Sequence, residues 1–166
     1  SQSYTKQLTQ AELKALFTIS DDVSSKENLT LQIVTDNYSS KYSTLGSYTV
    51  VARVTDQAGN SSTATATITV IDDVKPVISF NSTIEIDNLS QRTIEDIKKF
   101  ITVTDAKSEI TEYTVTDSSD YATNYMKPGN YQFAVTAKDS ANNVASAVLT
   151  ITVLDKDVPV ITWKDD

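Results

Sequence analysis

Alternating apolar and polar residues are the strongest local signal in this chain. From Tyr48 to Val54 the apolar positions recur at every second residue, and the same alternation runs from Tyr131 to Ala137. This period is that of a β-strand with one buried face. Two further alternating runs predict a second strand after each of these. Their predicted inward positions are Ala64, Ala66, Ile68 and Val70 in the first run and Ala147, Leu149, Ile151 and Val153 in the second.

A loop rich in Asp, Ala and Asn separates the two strands of each pair. It reads Asp56-Gln57-Ala58-Gly59-Asn60 in the first case and Asp139-Ser140-Ala141-Asn142-Asn143 in the second. Gly59 and Asn142 occupy equivalent positions, and both residue types tolerate the left-handed backbone that tight hairpin loops require. Each pair of strands is therefore predicted to form an antiparallel hairpin.

A short helix is predicted upstream of each hairpin. Thr9 and Glu12 form a capping box, and Thr93 with Asp96 is a weaker version of it. Apolar residues three positions apart are expected to face the sheet. They are Leu13 and Leu16 in the first helix and Ile97 and Phe100 in the second. Short strands are predicted after the helices and before the hairpins, at Thr18–Ser20, Leu29–Val34, Thr102–Thr104 and Ile110–Val115.

These matching elements indicate an internal duplication. Five positions recur 83 residues later: Gly46, Tyr48, Asp56, Asn60 and Pro76 return as Gly129, Tyr131, Asp139, Asn143 and Pro159. Positions around the helices match at an offset of 84. Leu29, Val34 and Asp36 match Ile110, Val115 and Asp117 at an offset of 81. Small loop insertions around a constant frame are typical of duplicated domains.

The duplication predicts two domains, at residues 1–72 and 73–156, with residues 157–166 starting a following repeat. Roughly seven short, turn-separated strands in each repeat indicate an antiparallel β-sandwich. The predicted fold class is therefore all-β, with two tandem immunoglobulin-like β-sandwiches that each carry one short helix. The segment that opens the second domain, Lys75–Phe80, has no counterpart in the first domain, whose first strand we therefore expect to be absent from this sequence.

The hairpins carry a family resemblance. Pro128-Gly129-Asn130-Tyr131 followed by Asp139–Asn143, and Leu45-Gly46-Ser47-Tyr48 followed by Asp56–Asn60, are similar to the hairpin of bacterial immunoglobulin-like (Big-type) domains. Such domains occur in tandem in surface-anchored and secreted proteins, mostly of Gram-positive bacteria. The resemblance implies an extracellular, cell-surface or cell-wall location. Tyr48 and Tyr131 resemble the tyrosine corner of Greek-key sandwiches, which anchors the core.

Composition excludes several kinds of site. The chain contains no Cys and no His, so it has no zinc site of the usual type, no cysteine nucleophile and no histidine base. With 14 Lys and Arg against 22 Asp and Glu, the net charge is −8, which disfavours binding to nucleic acid or to anionic membranes. We therefore predict no enzyme, no nucleic-acid partner, no membrane insertion and no required cofactor.

Calcium is the one metal that the sequence favours. Four carboxylates are expected near the junction of the two domains, because three parts of the chain share one end of an immunoglobulin-like sandwich: the loop after the strand Thr102–Thr104, the hairpin loop and the linker. They are Asp72, Asp73, Asp105 and Asp139. Carboxylate oxygens are the ligands that Ca²⁺ prefers. The alternative is that these aspartates cap turns through their own backbone, as loop aspartates commonly do.

The resemblance implies a non-enzymatic stalk or spacer that presents a distal functional domain. An adhesive module that binds a host protein or glycan is an alternative, and an accessory region of a secreted polysaccharide-active enzyme is another. Four tyrosines ahead of the hairpins, Tyr38, Tyr42, Tyr121 and Tyr125, are expected to be exposed. Tyr121 and Tyr125 are the ligand-contact candidates of the adhesive alternative, although packing against the adjacent sheet explains them equally well.

The C-terminal segment Asp157–Trp163 repeats the segment that opens the second domain, Lys75–Phe80. One interpretation is that the chain is cut from a longer array of repeats, in which its partners are the neighbouring immunoglobulin-like domains and the protein is a monomer. The other is that Val158–Trp163 completes the first domain of another molecule by strand addition, which gives head-to-tail chains.

Overall fold

A computed structural model describes residues 1–81 and 84–163. The chain divides into a first unit, Ser1–Asp73, and a second unit, Val74–Asp166. Both are built mainly of β-strands with a few short helices, so the predicted all-β, immunoglobulin-like fold class is confirmed. Residues 164–166, part of the predicted following repeat, lie outside the described residues.

The first unit contains one four-stranded sheet. Its strands are β1 (Gln2–Ser3), β2 (Thr30–Asp36), β3 (Gly46–Thr55) and β4 (Ser61–Ile71), and their order across the sheet is β1-β4-β3-β2. The predicted hairpin is β3–β4, which pairs antiparallel. β1 pairs parallel with β4, so the sheet is not purely antiparallel. Helix α1 is Gln10–Lys14, and 3₁₀ turns lie at Lys26–Asn28 and Ser39–Lys41.

The second unit contains two sheets. β6 (Glu85–Asp87), β8 (Ile110–Asp117), β9 (Gly129–Asp139) and β10 (Val144–Leu154) form a sheet in the order β6-β10-β9-β8, in which β6 runs parallel to β10. β5 (Val77–Phe80) pairs antiparallel with β7 (Ile101–Thr104). The helices are α2 (Ile94–Lys98) and α3 (Tyr121–Asn124). The sequence pattern did not predict α3 or the two 3₁₀ turns of the first unit.

The capped helices form as predicted. In both units the threonine side chain accepts from the backbone N–H of the acidic residue three positions on, whose carboxylate accepts from the threonine N–H. Leu13 and Ile97 are completely buried. Phe100 packs against the core of the second unit. Its counterpart Leu16 is 47% exposed, so its predicted inward position is wrong.

The register of β2 differs from the predicted alignment at one residue. Ile33 lies opposite Ala52, just as Val115 lies opposite Val135. Ile33, and not Val34, is therefore the counterpart of Val115. Val34 is the extra residue of a β-bulge between Ile33 and Thr35, and its side chain is exposed. The bulge restores the alignment one residue later, so the match between Asp36 and Asp117 is correct.

The two units differ where the small sheet of the second lies. Ile78 and Phe80 of β5 and Ile101 of β7 pack against the second unit's core. In the first unit the predicted strand Thr18–Ser20 does not form, because no described residue supplies a counterpart of β5 beside it. Ala64, predicted to be buried, is exposed, whereas its counterpart Ala147 is half-buried.

The hairpin loops have the predicted backbone. Gly59 has φ +89° and Asn142 has φ +71°, both in the left-handed region. Glycine adopts this conformation at little cost, and asparagine tolerates it better than most other residues do. No helix in the described part of the chain is long and apolar enough to cross a membrane.

Candidate functional site

In each unit one buried tyrosine joins the start of the capped helix to the chain ahead of the hairpin. The Tyr38 hydroxyl accepts a hydrogen bond from the N–H of Leu8 at 3.0 Å and donates to the Lys6 carbonyl at 3.2 Å. The Tyr121 hydroxyl accepts from the N–H of Arg92 at 2.9 Å. Leu8 and Arg92 each lie directly before the helix N-cap, so the two contacts are equivalent. These tyrosines act as locks on the helix entry.

The expectation that Tyr38 and Tyr121 are exposed is therefore wrong. Tyr38 is completely buried and Tyr121 is 2% exposed. The Tyr121 ring packs edge-on against Tyr131 and Phe133, with centroid distances of 5.4 and 5.6 Å. Burial raises the pKa of the Tyr121 hydroxyl above its usual value. A side chain enclosed in this way is not available to a ligand, and its ligand assignment is withdrawn.

The other two tyrosines of this set are partly buried. Tyr42 packs against the core of the first unit and Tyr125 against that of the second. Packing, the alternative left open by the sequence, accounts for both contacts. Tyr48 donates to the Thr44 carbonyl at 3.0 Å, and Tyr131 donates to Lys127 at 2.9 Å. These bonds to the backbone four residues upstream match the expected tyrosine corner.

The Asp and Asn residues of each hairpin loop form a closed clasp. Asn143 donates to Asp139 from its backbone N–H and from its side-chain amide, at 2.8 Å in each case. Asn60 makes the same two bonds to Asp56, at 2.8 and 2.9 Å. The Asn60 amide bond is the largest of the effects that hold the pKa of Asp56 below its usual value. The family-like hairpin motif thus has a structural role in both units.

A second pair of aspartates caps the turn that follows the helix region. Asp21 Oδ1 accepts from the backbone N–H groups of Val23 and Ser24. Asp105 Oδ1 accepts from those of Lys107 and Ser108, at 2.8 and 2.9 Å. The bonds from Ser24 and Val23 hold the pKa of Asp21 below its usual value. Turn capping, the alternative to metal binding, is therefore present at both positions.

The structure brings two of the four calcium candidates together within the second unit. A carboxylate oxygen of Asp105 and one of Asp139 lie within 4.8 Å of each other, and Asp139 is 1% exposed. Asp72 directly follows β4 in the first unit, and Asp73 accepts a hydrogen bond from the Ser3 hydroxyl at 2.5 Å. Participation of Asp72 and Asp73 in a metal site stays a prediction.

Asn88 is a structural residue that the sequence analysis missed. Its side chain is buried, its Oδ1 accepts from the N–H of Lys156 at 2.9 Å, and its amide donates to Asp157 Oδ2 at 3.0 Å. It therefore ties the chain after β6 to the chain after β10. A polar residue at the end of a strand gives no pattern from which such a contact is inferred. Tyr4 occupies the equivalent position in the first unit.

Two surface depressions stand out in the described part of the chain. One, of about 620 Å³, lies on the second unit and includes the ion pair between Arg92 and Asp87, whose atoms are 2.8 Å apart. The other, of about 230 Å³, lies on the first unit beside Thr18–Ser20. The lining of the second depression is mixed in polarity; its apolar side chains are Phe17, Ile19, Leu31, Ala52, Val54 and Ala64.

Comparisons with known proteins give no family. No protein-family profile matches the chain. An uncharacterized 81.3 kDa protein of Acholeplasma phage L2 is 28% identical over 127 residues, which cover 76% of this chain. The chain spans 17% of the length of that relative.

Among solved structures, human mucin-like protocadherin EC1-2 is 12% identical, with a TM-score of 0.40, over 84% of this chain and 92% of that one. Drosophila N-cadherin EC1-4 is 23% identical, with a TM-score of 0.36, over 67% of this chain and 32% of that one.

Proposed function

We propose that this chain is a non-enzymatic stalk segment of a longer extracellular bacterial protein, and that each unit is built to stay folded under tension. The observation that supports this proposal is a parallel strand pair in each unit, in which a strand from the N-terminal part of the unit pairs with its last strand. β1 pairs with the end of β4 through Gln2 and Ser3. β6 pairs with the end of β10 through Glu85–Asp87.

Parallel pairing decides how a pulling force acts on the hydrogen bonds. Tension on the two ends of the first unit draws β1 and β4 in opposite directions along their shared axis. Their bonds then bear the load in shear and must break together, whereas bonds at the open end of an antiparallel hairpin break one at a time. The ladder extends beyond β1, because Tyr4 donates to the Ile71 carbonyl at 3.1 Å. Parallel terminal strands therefore favour resistance to tension.

The second unit extends its parallel ladder on both sides. Thr152 donates to the Ile84 carbonyl at 2.8 Å, and Asn88 donates to the Leu154 carbonyl at 3.1 Å. The side-chain bonds of Asn88 to Lys156 and Asp157 then fasten the chain where it leaves β10. These bonds lie where a force applied to the C-terminal end of the unit enters it.

The residues that recur between the units are those that maintain the fold. The threonine helix caps, the tyrosine locks and the hairpin clasps are all duplicated. A duplicated ligand site would instead preserve exposed side chains of one chemistry. The adhesive alternative loses its candidate Tyr121 to the core. The low coverage of the phage relative fits a module within a longer chain.

Single-molecule pulling tests the proposal. Since the chain has no Cys, introduced cysteines give unique attachment points. We expect a high unfolding force when the second unit is pulled through residues before β6 and after β10. Binding of the same chain to glycan and host-protein arrays serves as the control for the adhesive alternative, and we expect no specific binding. Specific binding to a ligand together with a low unfolding force would overturn the stalk proposal.

Calcium binding is a second candidate, supported by the proximity of Asp105 and Asp139. Two neighbouring carboxylates repel each other, and a divalent cation between them relieves this repulsion while accepting oxygen ligands. We propose that these two residues hold a Ca²⁺ ion at one end of β8. Asp117 lies at the other end of β8 and caps a turn by accepting from the N–H groups of Ser119 and Ala122.

Thermal unfolding with Ca²⁺ and with EDTA tests this second candidate. At a hundredfold excess over the dissociation constant, bound Ca²⁺ adds about 2.7 kcal/mol, which raises Tm by several degrees in a domain of this size. We expect Asp105→Asn to abolish the shift. The matched variant Asp117→Asn is expected to lower Tm and to leave the shift intact. An equal Tm with and without Ca²⁺ would leave the two aspartates as turn caps only.

A further inference from the structure

The larger of the two surface depressions, of about 620 Å³ on the second unit, is lined mainly by charged side chains. We call it the charged depression. Its cations are Arg92, Lys99 and Lys156, its anions are Glu85, Asp87 and Asp96, and its apolar side chains are Ile86, Phe100 and Leu154. The formal charges cancel, so net charge alone does not identify a ligand. The hydrogen bonds that each group already makes do distinguish the cations from the anions.

Two of the three carboxylates are committed to the fold. Asp96 Oδ2 accepts from the backbone N–H and the hydroxyl of Thr93, and its Oδ1 accepts from the Lys99 ammonium group at 2.7 Å. Asp87 Oδ1 accepts from the backbone N–H two residues on at 3.0 Å, and its Oδ2 accepts from Arg92 at 2.8 Å. Both oxygens of each carboxylate are thus occupied within the unit, and these two groups offer little to a ligand.

The three cations, in contrast, keep most of their donors. The guanidinium group of arginine carries five N–H donors and the ammonium group of lysine carries three. Arg92 and Lys99 each use one donor in the ion pairs above, and no bond or ion pair joins the Lys156 side chain to another described residue. The remaining carboxylate, Glu85, pairs in the ladder with Thr152, four positions before Lys156. The charged depression therefore fits a ligand that is rich in acceptor oxygens.

Buried side chains hold the backbone of two of these cations. The Tyr121 hydroxyl accepts from the N–H of Arg92, and Asn88 Oδ1 accepts from the N–H of Lys156, at 2.9 Å in each case. Tyr121 is 2% exposed and Asn88 is 3% exposed. The nearby Asp157 carboxylate accepts from the Asn88 amide at 3.0 Å and is not part of the lining. Cations on a fixed backbone lower the ordering cost of binding a ligand.

The first unit carries no cation at the equivalent positions. The counterparts of Arg92, Lys99 and Lys156 are Leu8, Ala15 and Asp73, at the repeat offsets of 84 and 83. The capped helix and the tyrosine lock nevertheless form in the first unit. The fold therefore does not require the three cations, and a ligand explains their convergence better than folding does.

We propose that the charged depression binds a ligand with two or three linked phosphate groups. Phosphate oxygens accept from several directions, arginine binds them bidentately and lysine binds them as a point charge. The cations come from three parts of the chain, before α2, after α2 and after β10, so an extended ligand reaches more of them than a single phosphate ion does. The net charge of −8 repels long polyanions and thus favours a short phosphate chain over nucleic acid. This site is additional to the stalk role and does not depend on it.

Calorimetric titration of the full chain with inorganic phosphate, tripolyphosphate and citrate tests the ligand class at low ionic strength. We expect tripolyphosphate to bind at one site per chain, and at least about tenfold more tightly than inorganic phosphate or the tricarboxylate citrate. Equal affinity for citrate would overturn phosphate as the ligand class. An absence of saturable tripolyphosphate binding would overturn the site itself.

The first unit supplies the substitutions that locate the site. Lys99→Ala with Lys156→Asp replaces two exposed cations by the residues of the first unit, and we expect it to weaken tripolyphosphate binding at least about tenfold. Lys14→Ala with Lys26→Asp makes the same charge change at exposed positions of the first unit. This matched control is expected to leave the affinity unchanged. Equal losses in the two variants would overturn the site, because the effect would then be one of net charge.

Nuclear magnetic resonance locates the ligand without any substitution. On titration with tripolyphosphate, we expect the backbone amide signals of Arg92, Lys99 and Lys156 to shift together. The amide signals of Leu8 and Ala15 in the first unit are expected to stay in place. Shifts spread over both units, or confined to residues outside the charged depression, would contradict the proposal.

Discussion

The hydroxyl of Tyr121 accepts a hydrogen bond from the backbone N–H of Arg92, 2.9 Å away and 29 positions earlier in the chain. Tyr38 makes the same contact to Leu8 in the first unit. In each unit a core side chain thus fixes the backbone at the entry to the helix. The contact joins a local element, the capped helix, to the segment that leads into the hairpin.

The tyrosine locks predict a specific stability loss. Tyr121→Phe keeps the ring but leaves the Arg92 N–H without its acceptor, so we expect it to lower the free energy of unfolding by about 1–3 kcal/mol. Urea unfolding measures the change. Tyr125→Phe is the control, because no described hydrogen bond involves the Tyr125 hydroxyl, and its effect is expected to stay within about 0.5 kcal/mol. Equal effects of the two changes would contradict the lock.

The hairpin clasps predict a difference between the units. Asn143→Ala removes the amide bond to the buried Asp139, and we expect it to cost about 1–3 kcal/mol. Asn60→Ala removes the same bond to the more exposed Asp56, where water replaces the lost donor, so the expected cost is less than about 1 kcal/mol. Calorimetry of each variant measures the two losses. A larger loss for Asn60→Ala would contradict the role of burial.

Acid is expected to destabilise the first unit through Glu12. Hydrogen bonds from the Thr9 backbone and the Lys6 ammonium group lower the pKa of Glu12 to about 2 from its ordinary value of 4.5. Because the folded pKa is the lower one, the ionised form stabilises the fold above pH 4.5. That contribution is lost as the pH falls from 4.5 to about 2.

Thermal unfolding across this pH window measures the effect of Glu12. Glu12→Gln, which keeps a hydrogen-bonding side chain without the titrating carboxyl, is expected to flatten the fall of Tm with pH. Glu112→Gln, on an exposed position of β8, serves as the matched control and is expected to leave the slope unchanged. A fall of Tm that is the same in wild type and Glu12→Gln would contradict this assignment.

Local sequence signals predicted the parts of the fold that depend on local interactions. The capping boxes and the left-handed residues Gly59 and Asn142 are determined within a few residues, and all were predicted correctly. The bulge at Val34 was missed because β8 carries a bulge of its own, between Ile110 and Glu112. With one extra residue in each strand, the two ends still match at an offset of 81, and the ungapped alignment is wrong only between the bulges.

The errors in burial arise from contacts that are distant in sequence. Leu16 and Ala64 are exposed because no described residue of the first unit covers them as β5 covers the second. Tyr121 was expected on the surface because it precedes the hairpin in a polar stretch. Its match to Tyr38 at the repeat offset of 83 was the available signal, since a duplicated tyrosine is better explained by the core.

The direction dependence of the unfolding force tests the stalk proposal most directly. The second unit is pulled once through cysteines placed before β6 and after β10, and once through cysteines at positions 128 and 155, at the open end of the β9–β10 hairpin, where the antiparallel bonds break one at a time. The proposal predicts a force several times higher in the first geometry, because the parallel ladder of β6 and β10 then breaks in shear. Equal forces in the two directions would contradict it.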